Sequence, residues 1–333
     1  MLDEKVQLSL AAQHAQHNFR AQRSVARVER PGRGQQVGGI PAAADFAESV
    51  EGQQSRGRYG SGHDRDPNYN QFVELEKTLL RKVGDAIHRF KMIRDGDRVA
   101  VALSGGKDSL TLLEALLLLA KRAPVEFSVC AFTVEQGKFL RPVEPLGDYL
   151  RQRGIAWTYF RDAPSLRLLD EQPGHGCDLC SRYRRRAVYE IARGLGANVI
   201  AFGHTADDFC EALLRNTMFT GKLSALPPVT HSRDREFRLI RPLVFVTEDL
   251  TAAYAESLGA PLVPCGCSQK TGTVRRSLRE IFRALEHDYP HLKENILSAM
   301  GNVDTKRLLD TRFLDVDEVE DAAPQHFPIV SES

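Results

Sequence analysis

The sequence predicts an α/β fold built on a parallel sheet, with helical additions before and after it. Short apolar segments alternate with longer helix-like ones through the middle of the chain, a pattern that yields parallel strands covered by helices on both faces. A glycine-containing turn, Ser104-Gly105-Gly106-Lys107-Asp108-Ser109, joins the first apolar segment to the first helix of that series. An apolar fraction of 42% over 333 residues supports a substantial core.

Residues 1–68 hold Gly32, Gly34, Gly38, Gly39, Gly57, Gly60 and Gly62 among many Gln and Arg. Such a composition buries too little surface to offset chain entropy, so a disordered low-complexity extension is expected there. A non-functional extension, or a start assigned too far upstream, is favoured over an RNA-binding arm. From Asn70, Phe72, Leu75, Leu79, Leu80, Val83 and Ile87 recur at intervals of three and four, which predicts an amphipathic helix within a segment 69–97. Lys77, Arg81, Lys82, Arg89 and Lys91 fall on its other faces, either as a solvated surface or as contacts to a phosphate backbone.

Strands are expected at Val99–Leu103, Glu126–Phe132, Ala156–Phe160 and Val199–Phe202. The helices between and after them are expected at Leu110–Lys121, Val143–Gln152, Ser181–Leu195 and Asp207–Phe219, in a domain spanning 98–245. Helices Glu248–Leu258, Val274–His287 and His291–Met300 follow around a cysteine-bearing turn in a region 246–316, before a flexible tail 317–333.

Forty-five basic and 44 acidic residues leave a net charge of +1, so there is no global nucleic-acid signature, although a local basic patch is enough to bind RNA. Six cysteines in a chain of this length do not make a secreted disulfide framework. No apolar run reaches membrane-spanning length, and the N-terminus lacks the regions of a signal peptide. A cytoplasmic protein with no membrane partner is expected.

Strand, glycine turn, helix is the geometry that points backbone N–H groups and a helix dipole at a phosphate. Ser104 and Ser109 add hydroxyls, Gly105 and Gly106 permit close approach, and Lys107 adds a point charge. The spacing is neither the Walker form nor a dinucleotide turn. The bland alternative is an ordinary strand-to-helix connection.

Cys177-Asp178-Leu179-Cys180 stands just before a helix, where the dipole favours thiolate, and Pro264-Cys265-Gly266-Cys267 supplies two more thiols. On chemistry alone three readings stay open: an iron–sulfur cluster on Cys177, Cys180 and one of the later pair, a four-thiolate zinc, or a redox disulfide. Cys130 reads as a core thiol and Cys210 as a packing residue. Gly203-His204-Thr205-Ala206-Asp207-Asp208 brings an imidazole and two carboxylates to a strand end. Those carboxylates are suited to Mg²⁺ or to proton acceptance, and equally to capping the helix that follows.

The hexapeptide resembles the loop of the PP-loop ATP pyrophosphatases, the adenine nucleotide alpha hydrolase-like, Rossmann-like enzymes that activate a carbonyl oxygen with ATP. Further blocks are Met92-Ile93, Gly96-Asp97-Arg98, Cys177 to Arg182 with Arg184 and Arg185, Gly203-His204 with Asp207-Asp208, and Gly221-Lys222. Pro227-Pro228, Ile240-Arg241-Pro242-Leu243, Pro264-Cys265, Cys267-Ser268-Gln269, and Ser298-Ala299-Met300 with Asn302-Val303 complete the set. Together they resemble the tRNA 2-thiocytidine synthetase family over about 70–316.

That resemblance implies adenylation of the C2 oxygen of cytidine 32 in the tRNA anticodon loop, followed by its replacement with sulfur. It implies ATP held by Ser104, Gly105, Gly106, Lys107, Asp108 and Ser109 with His204 and Asp208, and catalysis by Asp207, Lys107 and Asp108. Mg²⁺ accompanies the ATP, and a [4Fe-4S] cluster sits on Cys177, Cys180 and Cys267, with Cys265 as the alternative third ligand. The family's turn is Pro-Cys-x-x-Cys-Gly-Ser-Gln, and this chain is shorter there; counting back from Ser268-Gln269 selects Cys267. Arg182, Arg184, Arg185 and Arg186 are suited to RNA phosphates or to a solvated helix face. A cysteine desulfurase or another sulfide donor is the implied protein partner, and a second copy of the chain, as a homodimer, is the other.

The related 2-thiouridine branch carries additional zinc-binding cysteine pairs, whereas here no cysteine precedes Cys130 or follows Cys267. A non-catalytic ATP- and metal-binding regulator is opposed by intact Lys107, Asp108 and Asp207. Thr205 and Ala206 depart from the His and Arg common in the family motif.

Overall fold

A computed structural model describes residues 67–137, 139–171, 177–264 and 273–313. The described residues fall into two units, one running up to Thr205 and resuming from Pro227 to Pro264, the other formed by Ala206–Leu226 with 273–313.

The first unit begins with α1 (Pro67–Arg89), which starts two residues inside the stretch expected to lack structure. Leu79, Val83 and Ala86 are fully buried, so the three-four periodicity does mark the packed face. Two of the basic side chains behind that face serve the fold. Lys82 Nζ donates to the Phe245 carbonyl at 3.0 Å, and the Arg89 guanidinium lies 5.8 Å from the Phe90 and Phe245 rings. Lys77 and Arg81 make exposed ion pairs along the helix with Glu74 and Asp85.

The sheet comprises β1 (Arg98–Ala102), β2 (Ser128–Glu135), β3 (Trp157–Arg161), β4 (Val199–Ala201), β5 (Val229–His231) and β6 (Arg238–Ile240). Its order is β3-β2-β1-β4-β6-β5, parallel throughout except for β5 against β6. This is the predicted α/β parallel-sheet class. Val99, Ala100 and Val101 of β1 are fully buried, as a central strand covered on both faces requires. Helices α2 (Lys107–Arg122), α3 (Glu144–Gln152), α4 (Ala163–Glu171), α5 (Cys177–Gly194) and α7 (Glu248–Ser257) belong to this unit.

Four elements differ from the sequence expectation. Strands β5 and β6 are three residues each, too short to show a period of two. Helix α4 carries Pro164 in its first turn, where a missing N–H costs nothing, yet in sequence that proline reads as a breaker. Helix α5 starts at Cys177 rather than at Ser181, so both cysteines lie within its first turn instead of ahead of it.

The second unit holds α6 (Ala206–Thr220), α8 (Thr273–Asp288) and α9 (Leu292–Met300), with α6 packed on the other two. Among the described residues no helix is long and apolar enough to cross a membrane.

The amino-terminal ends of β1, β4 and β6 are locked by one buried carboxylate. Asp97 Oδ2 accepts from Arg238 Nη1 and from the Arg94 backbone N–H, both at 2.6 Å, while Oδ1 accepts from Asn198 Nδ2 at 2.7 Å. Asn198 Oδ1 in turn accepts from the Arg98 backbone at 2.8 Å. Removing one member of a buried pair strands the other charge. Asp97→Ala is therefore expected to lower unfolding free energy by about 3–5 kcal/mol, measured by urea titration. A loss below about 1 kcal/mol would show that the lock is dispensable.

Candidate active site

At the centre of the sheet the order reverses direction: β2 lies on one side of β1 and β4 on the other, so the connections leaving β1 and β4 diverge. Ligands of open α/β sheets bind in that crevice, beyond the carboxyl ends of the strands. Here it is a cleft of about 360 Å³, walled by Phe132, Val134 and Phe202 and edged by Ser104, Asp108, Ser109, Gln136, Arg184 and His204. Apolar walls with a few convergent polar groups suit a base and ribose.

The turn after β1 is built by its own side chains. Ser109 Oγ donates to the Gly106 carbonyl at 3.0 Å and lies 3.1 Å from Ser104 Oγ, while the Ser104 N–H reaches Ser109 Oγ at 3.1 Å. Gly105 has φ +83°, a left-handed conformation, and a Cβ there would collide with the Val263 carbonyl. The Val263 N–H donates to the Gly105 carbonyl at 2.8 Å, tying the turn to the segment that leads towards the later cysteines. Gly106 caps α2 in an extended conformation without a side-chain hydrogen bond, so the first N–H groups of the helix have no capping side chain there.

Gly203 shows the second close approach. A Cβ built on it would stand 2.9 Å from the Ser109 backbone nitrogen and 3.0 Å from its Cα, leaving no room for any other residue. The chain leaving β4 thus passes directly against the start of α2.

Lys107 Nζ lies 2.6 Å from Asp108 Oδ1 and 3.3 Å from Thr251 Oγ1, and Thr251 also hydrogen-bonds Asp108. Thr251 is fully buried, and its helix α7 begins with Thr247 capping the Leu250 N–H at 3.4 Å. Two of the three expected catalytic residues are therefore held together before any ligand arrives. Sequence reasoning missed Thr251, because a threonine inside a helix carries no linear signal. It also missed Gln136 and buried Asp162. Gln136 Oε1 accepts from Arg184 Nε at 2.8 Å, its Nε2 donates to Ser165 Oγ at 2.8 Å, and Asp162 Oδ1 pairs with Arg186 at 3.3 Å.

That network sorts the arginines that follow the cysteines. Arg186 is tied to Asp162 and to Glu190, Arg184 edges the cleft, and Arg182 and Arg185 are exposed. Cys177 and Cys180 are three apart in the first turn of α5, a spacing that places two residues on one helix face. Cys265 and Cys267 lie outside the described residues. Cys130 and Cys210 are buried, as core and packing thiols should be. Burial pushes the Cys130 thiol up, and burial reinforced by the Asp207 charge pushes Cys210 up to about 12. Neither is suited to be a thiolate ligand.

Asp207 and Asp208 open α6 in the second unit. Asp207 Oδ1 lies 2.5 Å from Lys293 Nζ, which also reaches Glu286 at 2.6 Å. Burial works to lower the Lys293 pKa, but the hydrogen bonds and charges of the two carboxylates outweigh it and hold the ammonium above its usual range. Among the described residues no three His, Cys, Asp or Glu side chains gather into a metal-binding group.

No family model matches the chain. Curated relatives do. The tRNA-cytidine(32) 2-sulfurtransferase of Anaeromyxobacter dehalogenans (strain 2CP-C) is 38% identical over 243 residues, covering 72% of this chain and 84% of that protein. The protein of the same name from Ralstonia nicotianae is 38% identical over 250 residues, 74% and 80% of the two chains. That from Syntrophotalea carbinolica is 38% identical over 249 residues, 72% and 96%. Among solved structures, the U34-tRNA thiolase NcsA from Methanococcus maripaludis with its [4Fe-4S] cluster aligns with a TM-score of 0.55 at 23% identity, over 69% of this chain and 79% of that one.

Fold and turn together define an α/β unit of the PP-loop type. Within that class, the extent and identity of the sequence matches place the chain in the tRNA-cytidine(32) 2-sulfurtransferase family.

The two close approaches make a direct test. Gly203→Ala is expected to weaken ATP binding about tenfold by calorimetry and to cost about 1–3 kcal/mol of stability through overpacking. Gly84→Ala, on α1 with nothing within 4 Å, is the control and should stabilise by about 0.5–1 kcal/mol. Equal behaviour of the two variants would refute the close-approach account.

Proposed function

We propose that this chain uses ATP to activate the C2 oxygen of cytidine 32 in the tRNA anticodon loop and exchanges it for sulfur, giving 2-thiocytidine. The observation that carries the reading is the arrangement of the first unit. The Ser104–Ser109 turn and the start of α5, with Cys177 and Cys180, belong to the same unit, and Arg184, one helical turn past Cys180, edges the cleft into which the turn opens. A nucleotide-activating turn and paired thiols are the two halves of a thiolation chemistry.

The chemistry follows from a poor leaving group. An amide-like carbonyl carbon resists attack because its oxygen departs badly; esterification to AMP turns that oxygen into a phosphate and makes C2 attackable. The N–H groups at the start of α2, with Ser104, Ser109 and Lys107, bind the phosphates and stabilise the charge that develops as pyrophosphate leaves. Asp108 and Thr251 aim Lys107, so little reorganisation is needed when ATP arrives. Phe132, Val134 and Phe202 exclude water from the nucleoside, with His204 at the same edge. Asp207 would accept a proton or hold Mg²⁺, and Asp208 would assist it. Anticodon-loop bases are reachable because they can be splayed from the stack.

Cys177, Cys180 and Cys267 hold the [4Fe-4S] cluster, for which the donor set fits: soft thiolates at a helix start, with Cys130 and Cys210 withdrawn into cores. With these three cysteines as its ligands, the cluster would supply a binding place for sulfide. The sulfide comes from a cysteine desulfurase or another donor, and the active assembly is a homodimer.

Protein purified and reconstituted without oxygen, given tRNA, ATP, Mg²⁺ and sulfide, should yield 2-thiocytidine on nucleoside mass analysis. Its absence from reactions in which the cluster is intact would overturn the reading. Cys267→Ala should lose iron and the visible cluster absorption, whereas Cys265→Ala should keep both; the reverse result would move the third ligand to Cys265.

A further inference from the structure

Gln136, the residue after β2, lines the cleft yet is only 3% exposed. Both ends of its amide are engaged. Nε2 donates to Ser165 Oγ at 2.8 Å and to Asp162 Oδ2 at 3.3 Å, and Oε1 accepts from Arg184 Nε at 2.8 Å. The Ser165 hydroxyl donates to Asp162 Oδ2 in turn, and the Asp162 backbone N–H donates to the Glu135 carbonyl at 2.9 Å. Asp162 and Ser165 are as deeply buried as Gln136. An ionised carboxylate only accepts hydrogen bonds, so Asp162 decides which end of the amide faces it. The NH2 group turns to Asp162, and the carbonyl is left for Arg184.

This network treats two arginines of α5 differently. Arg186 meets carboxylates, Asp162 at 3.3 Å and Glu190 at 3.5 Å, so its charge is offset within the protein. Arg184 is held by a neutral amide, and no carboxylate among the described residues pairs with it. A neutral acceptor orients a guanidinium without cancelling its charge, and a bond at Nε leaves both Nη groups to donate elsewhere. Arg184 lines the same cleft as Ser104, Asp108 and Ser109 of the glycine turn. The turn's own cation, Lys107, already shares its charge with Asp108 at 2.6 Å. Arg184 therefore brings to the cleft an oriented, uncancelled charge, in the forked form that matches phosphate oxygens.

We propose that Gln136, fixed by Asp162 and Ser165, is a positioning residue that aims Arg184 at a phosphate of ATP in the cleft. The proposal rests on the reading of the Ser104–Ser109 turn as an ATP site, and it adds a phosphate donor from the helix that opens with Cys177.

The test measures ATP affinity by calorimetry on the full-length, cluster-loaded protein without tRNA. Arg184→Met, at an exposed position, should weaken ATP binding about tenfold. Gln136→Met should weaken it about fivefold, by releasing a guanidinium that is still present. The double variant should be no worse than Arg184→Met alone, because Gln136 acts through Arg184; independent losses would instead multiply to about fiftyfold. Ser165→Ala removes one anchor of the amide and should weaken ATP binding about threefold. It carries the positioning arm if Gln136→Met does not fold. In thiolation, KM for ATP should rise in each single variant and KM for tRNA should not.

Unchanged ATP affinity in Arg184→Met overturns the proposal. So does an additive double variant, or Gln136→Met and Ser165→Ala that both bind ATP like the wild type. A raised KM for tRNA with ATP affinity intact assigns Arg184 to the RNA and also overturns it. Wild-type protein that binds ATP but forms no 2-thiocytidine overturns the functional reading, while the ATP affinities still decide the role of Gln136. Wild-type protein that binds no ATP overturns both.

Discussion

The backbone at Gly203 runs against the backbone at Ser109 with no space for a side chain between them. That contact joins the exit of β4 to the start of α2 and brings the two sides of the strand-order reversal together. The cleft exists because the chain diverges on either side of this contact, and the phosphate-binding turn keeps its shape because α2 begins where it does. Gly105, held under Val263 in a left-handed conformation, extends the same constraint to the segment preceding the later cysteines. Two glycines thus set the positions of groups that come from three separate stretches of the chain.

Around this frame the buried charges are arranged in pairs. Asp97 with Arg238 closes the amino-terminal edge of the sheet, and Asp162 with Arg186 ties α5 to the strand ends. Glu114 with Arg153 ties α2 to the end of α3, the two groups meeting at 2.7 and 2.8 Å. Burial still pushes the Glu114 carboxyl above its ordinary range, so even a two-pronged guanidinium contact only partly offsets desolvation. Arg241, half-buried, is held by the Pro227 carbonyl at 2.7 Å and lies 5.9 Å from the Phe202 ring.

Much of the fold was legible because its signals are local. The three-four spacing of α1, the apolar run of β1 and the Gly-Gly-Lys turn each follow from neighbours in sequence, and each is where the pattern puts it. Strands β5 and β6 were illegible, since three residues carry no period and form a strand only when a neighbouring edge offers hydrogen bonds. The start of α5 was misread by one turn: Ser181 looks like a cap, but the helix extends back through Cys177. The arginines after Cys180 could not be separated by sequence, because Arg186 is distinguished from Arg185 only by the buried carboxylate it meets.

By itself the sequence determined the α/β class and the place of the glycine turn between β1 and α2. These depend on residue type and short spacing, which chain order preserves. Only the tertiary structure decided that Thr251 meets Lys107 and that Gln136 and Asp162 hold Arg184 and Arg186 of the cysteine helix. The reason is physical: these are relations between side chains separated by 24 to 144 residues, set by how parallel strands bring their carboxyl ends together. No local pattern encodes which charge will be buried beside which. The glycine turn is written in six consecutive residues, and the folded chain supplies the groups that hold it in place.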